Sequence, residues 1–139
     1  MGMPEAPNRA IDPLPPDARA LALASGLGRI AIGVGLAVAP RPALRALGFD
    51  DASASTVAVS RIAGGRDIAL GVATVAALGD RERLRRASLA CAFVDAGDAA
   101  AFAAAASEDD GLRSAAIRGM AAAVPATIAG LWVALRASA

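Results

Sequence analysis

Four long stretches built from Ala, Leu, Ile, Val and Gly alternate with short charged ones along the chain. They cover residues 21–39, 57–78, 87–106 and 114–135. Each holds ~19–22 residues, or ~30 Å as a helix, which matches the hydrocarbon core of a bilayer. Ala and Leu favour helix, and no stretch alternates apolar and polar with period two. Pro40 and Pro42 end the first segment, because proline cannot continue a helix. The pattern predicts an all-α, four-helix transmembrane bundle. Between the first two helices, residues 41–56 place Leu44, Leu47 and Phe49 beside Arg41 and Arg45, which suggests a short interfacial helix followed by an Asp-rich turn.

The first twenty residues read differently. Pro4, Pro7, Pro13, Pro15 and Pro16 are mixed with Glu5, Arg9, Asp12 and Asp17, a density that favours extended, solvated backbone. The expected organisation is a flexible Pro-rich tail over residues 1–20 and a membrane domain over 21–139. The tail lacks the character of a secretory signal, being long and nearly neutral.

Composition sharpens the picture. Of 139 residues, 56% are hydrophobic and only 19% charged, against ~45–50% and ~25% for ordinary soluble domains. A soluble bundle of Ala-rich helices is the rival reading, yet the first segment carries only Arg29 and the fourth only Arg118. Helices with no polar face belong in a large core or a membrane, and a chain this short cannot bury four of them. Insertion of single segments is weak. Eight Leu, Ile and Val residues in segment one contribute roughly −0.3 to −0.6 kcal/mol each, against ~2.5–3.5 for Arg29. Segment three, opposed by Asp95 and Asp98, is expected to be the weakest and to need arginine-bearing partners.

The chain has no histidine and a single cysteine, and all 14 basic residues are arginine. No His-based metal or haem site, no Ser–His–Asp triad and no disulfide can be built within it, and neither a catalytic residue nor a cofactor is indicated. A net charge of +1 with 3% aromatic residues gives no case for nucleic acid. Arg9, Arg19, Arg81, Arg83, Arg85, Arg86 and Arg136 fall on one side of the four-span layout and Arg41, Arg45 and Arg113 on the other. The positive-inside rule then puts both termini in the cytoplasm, with the protein in the cell's inner membrane.

The candidate chemistry is the set of charges within the apolar segments: Arg29, Arg66, Asp67, Asp95 and Asp98, with Arg61 and Arg118 nearer the outer interface, where long side chains snorkel. Counted at 1.5 Å per residue from the cytoplasmic side, Arg29 and Asp95 both lie ~12 Å deep, Arg66 ~18 Å and Asp98 ~16 Å. These depths pair Arg29 with Asp95 and Arg66 with Asp98. Asp67, at ~17 Å, can share either arginine. Such pairs either lock the helices in one register or line a polar cavity for a proton or small anion. Small-residue steps at Ala22/Gly26, Ala24/Gly28 and Gly33/Ala37 would let helix backbones approach, and Gly35, Gly64, Gly65 and Gly71 add to the supply. Pro125 is expected to kink the fourth helix, and Trp132 to anchor it at an interface.

Several short motifs occur in a fixed order: Leu27-Gly28-Arg29, Ala39-Pro40, Arg45 with Leu47-Gly48-Phe49-Asp50, Arg61 with Gly64, Arg66 and Asp67, and Val94-Asp95 with Asp98. In these the chain resembles the small bacterial membrane proteins of domain of unknown function 4267, DoxX-like in general character. The resemblance spans residues 21–135 and implies four membrane helices and no established activity or catalytic residue. The functional expectation is a non-enzymatic accessory or structural membrane subunit, partnered by the lipid bilayer and by a homo-oligomer or another membrane protein. The alternative is a small transporter or membrane enzyme acting at the Arg/Asp cluster.

Overall fold

The computed structural model describes residues 14–49 and 52–138, and the described residues are all-helical. The elements are α1 (Pro16–Val38), α2 (Pro40–Ala46), α3 (Ala54–Ala76), α4 (Arg81–Glu108), a 3-10 turn at Asp110–Leu112, and α5 (Arg113–Ser138).

The helix starts differ from the sequence expectation for identifiable reasons. α1 begins at Pro16, inside the segment expected to be a tail, with Pro15 as its N-cap residue. Proline in the first turn forfeits only an N–H that has no helical acceptor anyway, so Pro15-Pro16 opens a helix rather than preventing one. The rest of the expected tail, residues 1–13, lies outside the described residues. α3 starts at Ala54 because Ser53 caps it, its Oγ accepting from Thr56 N at 3.1 Å. α4 starts at Arg81 because Asp80 Oδ1 accepts from Arg83 N at 2.9 Å. Residues 81–86, expected as a connector, are therefore the first turns of α4, where Glu82 bonds Arg85 (2.8 Å) and Arg86 (2.7 Å). Those two guanidiniums hold the Glu82 carboxyl down to about 2 in this polar stretch ahead of the apolar one.

The expected short helix is α2. It closes with a Schellman turn: Phe49 N donates to Leu44 O (2.9 Å) and Gly48 N to Arg45 O (2.9 Å). Gly48 has φ +96°, a conformation open to glycine and strained for other residues. An added Cβ there would lie 3.3 Å from the Ala115 Cα, so the turn rests directly on α5. The expected Asp-rich turn falls on Asp50 and Asp51, outside the described residues.

Short connections make α3 and α4, and α4 and α5, antiparallel neighbours, while α2 lies in the longer connection between α1 and α3. α1 packs closely on α3 and α4 on α5, while lighter α1–α5 and α3–α4 contacts close a four-sided ring. Buried positions recur at alternating steps of four and three: Ala22, Gly26, Arg29, Gly33 and Leu36 in α1, and Val57, Ser60, Gly64, Gly71 and Thr74 in α3. That is the spacing of nearly parallel axes packed side by side. Leu84, Ala22, Ala77 and Val133 form an apolar cluster at one end, joined by Trp132. α5 runs unbroken through Pro125. The proline leaves the Ala121 carbonyl without its usual helical donor.

Three segments are long and apolar enough to cross a membrane: α1, α4 and the stretch Asp110–Ser138. α3 is the exception, because Arg61, Arg66 and Asp67 all fall within its 23 residues. The sequence pointed to the third apolar segment as the weakest, yet α4, with Asp95 and Asp98 alone in its apolar part, satisfies the same measure. Many large apolar side chains are left outside, among them Leu27, Ile32, Val38, Ile62, Phe93, Ile128 and Leu135. Such a surface suits lipid rather than water.

Candidate functional site

The interior polar groups follow from where the glycines let backbones meet. A Cβ added to Gly33 would lie 2.6 Å from Gly64 O, and one added to Gly71 2.5 Å from Gly26 O. Gly26 therefore faces Gly71 and Gly33 faces Gly64, the two contacts lying seven residues apart along each helix. Midway between these two contacts sit Arg29, buried on α1, and Asp67, partly buried on α3. The glycines draw the helices together, and the guanidinium fills the space between the two contact points. The other glycines from the sequence reading behave differently: at Gly28, Gly35 and Gly65 an added Cβ meets nothing within 4 Å.

Arg29, 9% exposed, holds two carboxylates from two other helices. Its Nη1 donates to Asp67 Oδ1 at 3.2 Å, and its Nη2 donates to Asp95 Oδ2. Asp95 is 6% exposed and lies across the ring on α4. Arg66 holds Asp98 with both terminal nitrogens, Nη1 to Oδ1 at 3.0 Å and Nη2 to Oδ2 at 2.7 Å, the bidentate geometry of a strong pair. Arg66 Nη2 also reaches Asp67 Oδ1 at 3.4 Å. Asp67 is thus the link that turns two ion pairs into one network of five side chains. The Nε–H groups of Arg29 and Arg66 are buried and meet no acceptor among the described residues.

All five residues singled out from the sequence come together, with Asp67 shared by both arginines. Arg61 and Arg118 stay apart from them. Arg61 is exposed on α3, and Arg118 Nη1 reaches back to Ala46 O at 3.4 Å, tying α5 to the end of α2. Arg136 lies over the Trp132 ring, 4.9 Å from its centroid. The cluster carries three carboxylates against two guanidiniums. One feature escaped the sequence reading. One turn away, a half-open cavity of about 10 Å³ is lined by all four long helices, its walls including Ser25, Thr74, Ser88 and Cys91. That volume holds about one water. Ser25 and Cys91 precede Arg29 and Asp95 by four residues, so cavity and cluster lie along the same helix faces. Polar residues spaced by four from the charges of the apolar segments were the available signal.

Among the described residues no group of His, Cys, Asp and Glu is placed to hold a metal ion. What the cluster can do is hold helices in register and accommodate a proton on its excess carboxylate.

No curated protein and no solved structure matches the chain. One family does, over residues 26–133, a span that runs from Gly26 of the α1–α3 contact through Arg29, Arg66, Asp67, Asp95 and Asp98 to Val133 of the apolar cluster. With the match covering most of its length, the chain belongs to the family described as domain of unknown function DUF4267.

Proposed function

We propose that the chain is a non-enzymatic integral membrane protein, an accessory or structural subunit of the inner membrane whose bundle is locked by the Arg29–Asp67–Asp95 network. All four long helices cross the bilayer in this reading, and both termini are cytoplasmic. The observation that carries it is the commitment of Arg29: a nearly buried guanidinium spends its two terminal nitrogens on carboxylates from α3 and α4. An intramembrane charge satisfied in this way specifies register and partner choice. The crossing of α3 is supported by its place in the ring between α1 and α4, which lets Arg66 and Asp67 meet partners instead of lipid. Against a soluble bundle stands the array of exposed large apolar side chains.

Fractionation with a carbonate wash tests the location. The chain is expected in the washed membrane pellet, and recovery as a soluble monomer overturns the reading. Reporter fusions after residue 138 and within residues 107–113 are expected to give opposite signals.

A second reading, transfer of a proton or small anion, is favoured by the unequal charge count of the cluster and by the cavity one turn from it. Proteoliposomes loaded with a pH-sensitive dye separate the two. Proton flux that is lost in Asp67→Asn while the fold is kept supports transport. Tight vesicles support the lock.

A further inference from the structure

The outward faces of the four long helices are not alike. On α5 the exposed positions at alternating steps of three and four include Ile117, Val124, Ile128, Leu131 and Leu135, and α1 exposes Leu23, Leu27, Ile32, Val34 and Val38. These are the long aliphatic side chains that face lipid tails. On α3 the same spacing picks out Ala58, Ile62, Gly65, Ala69, Val72 and Ala76, and on α4 Ala90, Phe93, Gly97, Ala100 and Ala104, all exposed. Here the surface is mostly glycine and alanine, and a Cβ added at Gly65 or Gly97 meets nothing within 4 Å. Within membranes, small residues on an outer face permit close helix approach and enrich helix–helix interfaces.

An independent observation falls on the same side. The α3–α4 seam is one of the lighter contacts of the ring, and the ion pair that spans it is only half covered: the side chains of Arg66 and Asp98 are 37% and 35% exposed. Both sit near the middle of their helices, so in a bilayer they open toward hydrocarbon, where an uncovered charge is costly. Gly65 and Gly97 each directly precede one of them. The cover must offer a cation to Asp98, an anion to Arg66, and a smooth surface around both. This face itself has that combination. A two-fold axis along the membrane normal lays α3 of one copy against α4 of the other. It brings Arg66 of each copy toward Asp98 of its mate, an isologous and charge-complementary contact.

We propose that the α3/α4 face is the docking surface for a second copy of this chain, with the half-exposed Arg66–Asp98 pairs of the two copies at its centre. Phe93, 82% exposed and the largest side chain on the face, fills the groove left by the small residues of the partner's α3. The proposal rests on the membrane reading, which the carbonate wash tests beforehand and separately.

The experiment uses full-length chain extracted from washed membranes. Its association is followed by sedimentation in density-matched detergent and by energy transfer between labelled copies in vesicles. The wild type is expected to dimerise. Gly65→Leu and Gly97→Leu, which add bulk only to the outer face, are each expected to weaken the dimer at least tenfold with helix content and melting unchanged. Ala121→Leu on α5 is expected to leave it intact. If either glycine variant lowers the melting temperature, Ala100→Leu on the same face replaces it. A wild type that stays monomeric in vesicles overturns the proposal, whether lipid or a different membrane protein covers the pair in the cell. So does a dimer that keeps its affinity in the α3 and α4 variants.

Discussion

The contact of α1 with α3 and the seam between α3 and α4 share a helix and are built on opposite principles. Along the first, four glycines bring backbone against backbone, and the helices touch through atoms that cannot rotate out of the way. Along the second, backbones stay further apart and charged side chains span the gap, with Arg66 on Asp98 and, from α1 behind, Arg29 on Asp95. The first contact is specified mainly by shape: at its four glycines it tolerates no added atom, and the Arg29–Asp67 pair is its one charged element among the described residues. The second is specified by charge: it tolerates changes of size, yet fails when one partner is removed. Asp67 belongs to both, lying midway between the two glycine contacts while bonding both arginines.

Breaking the charged side is expected to have the largest effect. Arg29→Ala removes the arginine from Asp95 and leaves Asp67 only its longer contact to Arg66, and is expected to cost about 3–5 kcal/mol in unfolding assays in detergent. Asp95→Ala is expected to cost clearly less, because Arg29 keeps Asp67. The double variant is expected to lose less than the sum of the singles. Equal losses for the two singles would mean that Asp67 contributes nothing.

Breaking the shape side comes next. Gly33→Ala would put a methyl carbon 2.6 Å from a backbone oxygen of α3, which only a shift of one helix relieves. A loss of about 1–3 kcal/mol is expected from such overpacking, read as a lowered melting temperature. Gly28→Ala sharpens the contrast. It lies on the same helix with open space around it, and the better helix propensity of alanine is expected to stabilise by up to about 1 kcal/mol. A loss at Gly28 comparable to that at Gly33 would show the glycines acting through helix flexibility instead of contact.

The smallest effect lies outside both regions. The Glu82 carboxyl is held at about 2, below its ordinary value of 4.5. A depressed carboxyl contributes stability that is present above the ordinary value and fades as pH falls through the lowered one. Because Glu82 is fully exposed, salt screens it. Its midpoint, followed by NMR, is expected to rise toward 4.5 in high salt while the melting temperature of Glu82→Gln stays that of the wild type.

Much of this arrangement was legible before any coordinates. A fixed rise per residue, counted from a common end, placed Arg29 level with Asp95 and Arg66 near Asp98, and the structure brings those pairs together. Depth alone could not divide Asp67 between two arginines, since that depends on how α1 and α3 are rotated about their axes. The same missing rotation hid which glycines matter. Steps of four residues flag Gly28 as readily as Gly26, and the seven-residue interval of Gly26 and Gly33 recurs at Gly28 and Gly35, which face open space, so spacing alone does not select the contact glycines. Proline density over residues 1–20 predicts a tail, but density ignores position, and Pro16 sits at the one place in a helix that welcomes it.

The ring order of the helices also bears on biosynthesis. The chain emerges with α1 and α3 first, and of the cluster that hairpin holds Arg29, Arg66 and Asp67, one cation more than its carboxylate neutralises. α4 follows with two aspartates and reverses the sign of the imbalance. A segment that the sequence marks as a reluctant inserter is thus delivered to a waiting positive charge. In the proposed four-span layout, a nascent chain halted before residue 95 would leave an uncompensated arginine in the bilayer, a visible mark of an unfinished molecule for membrane quality control.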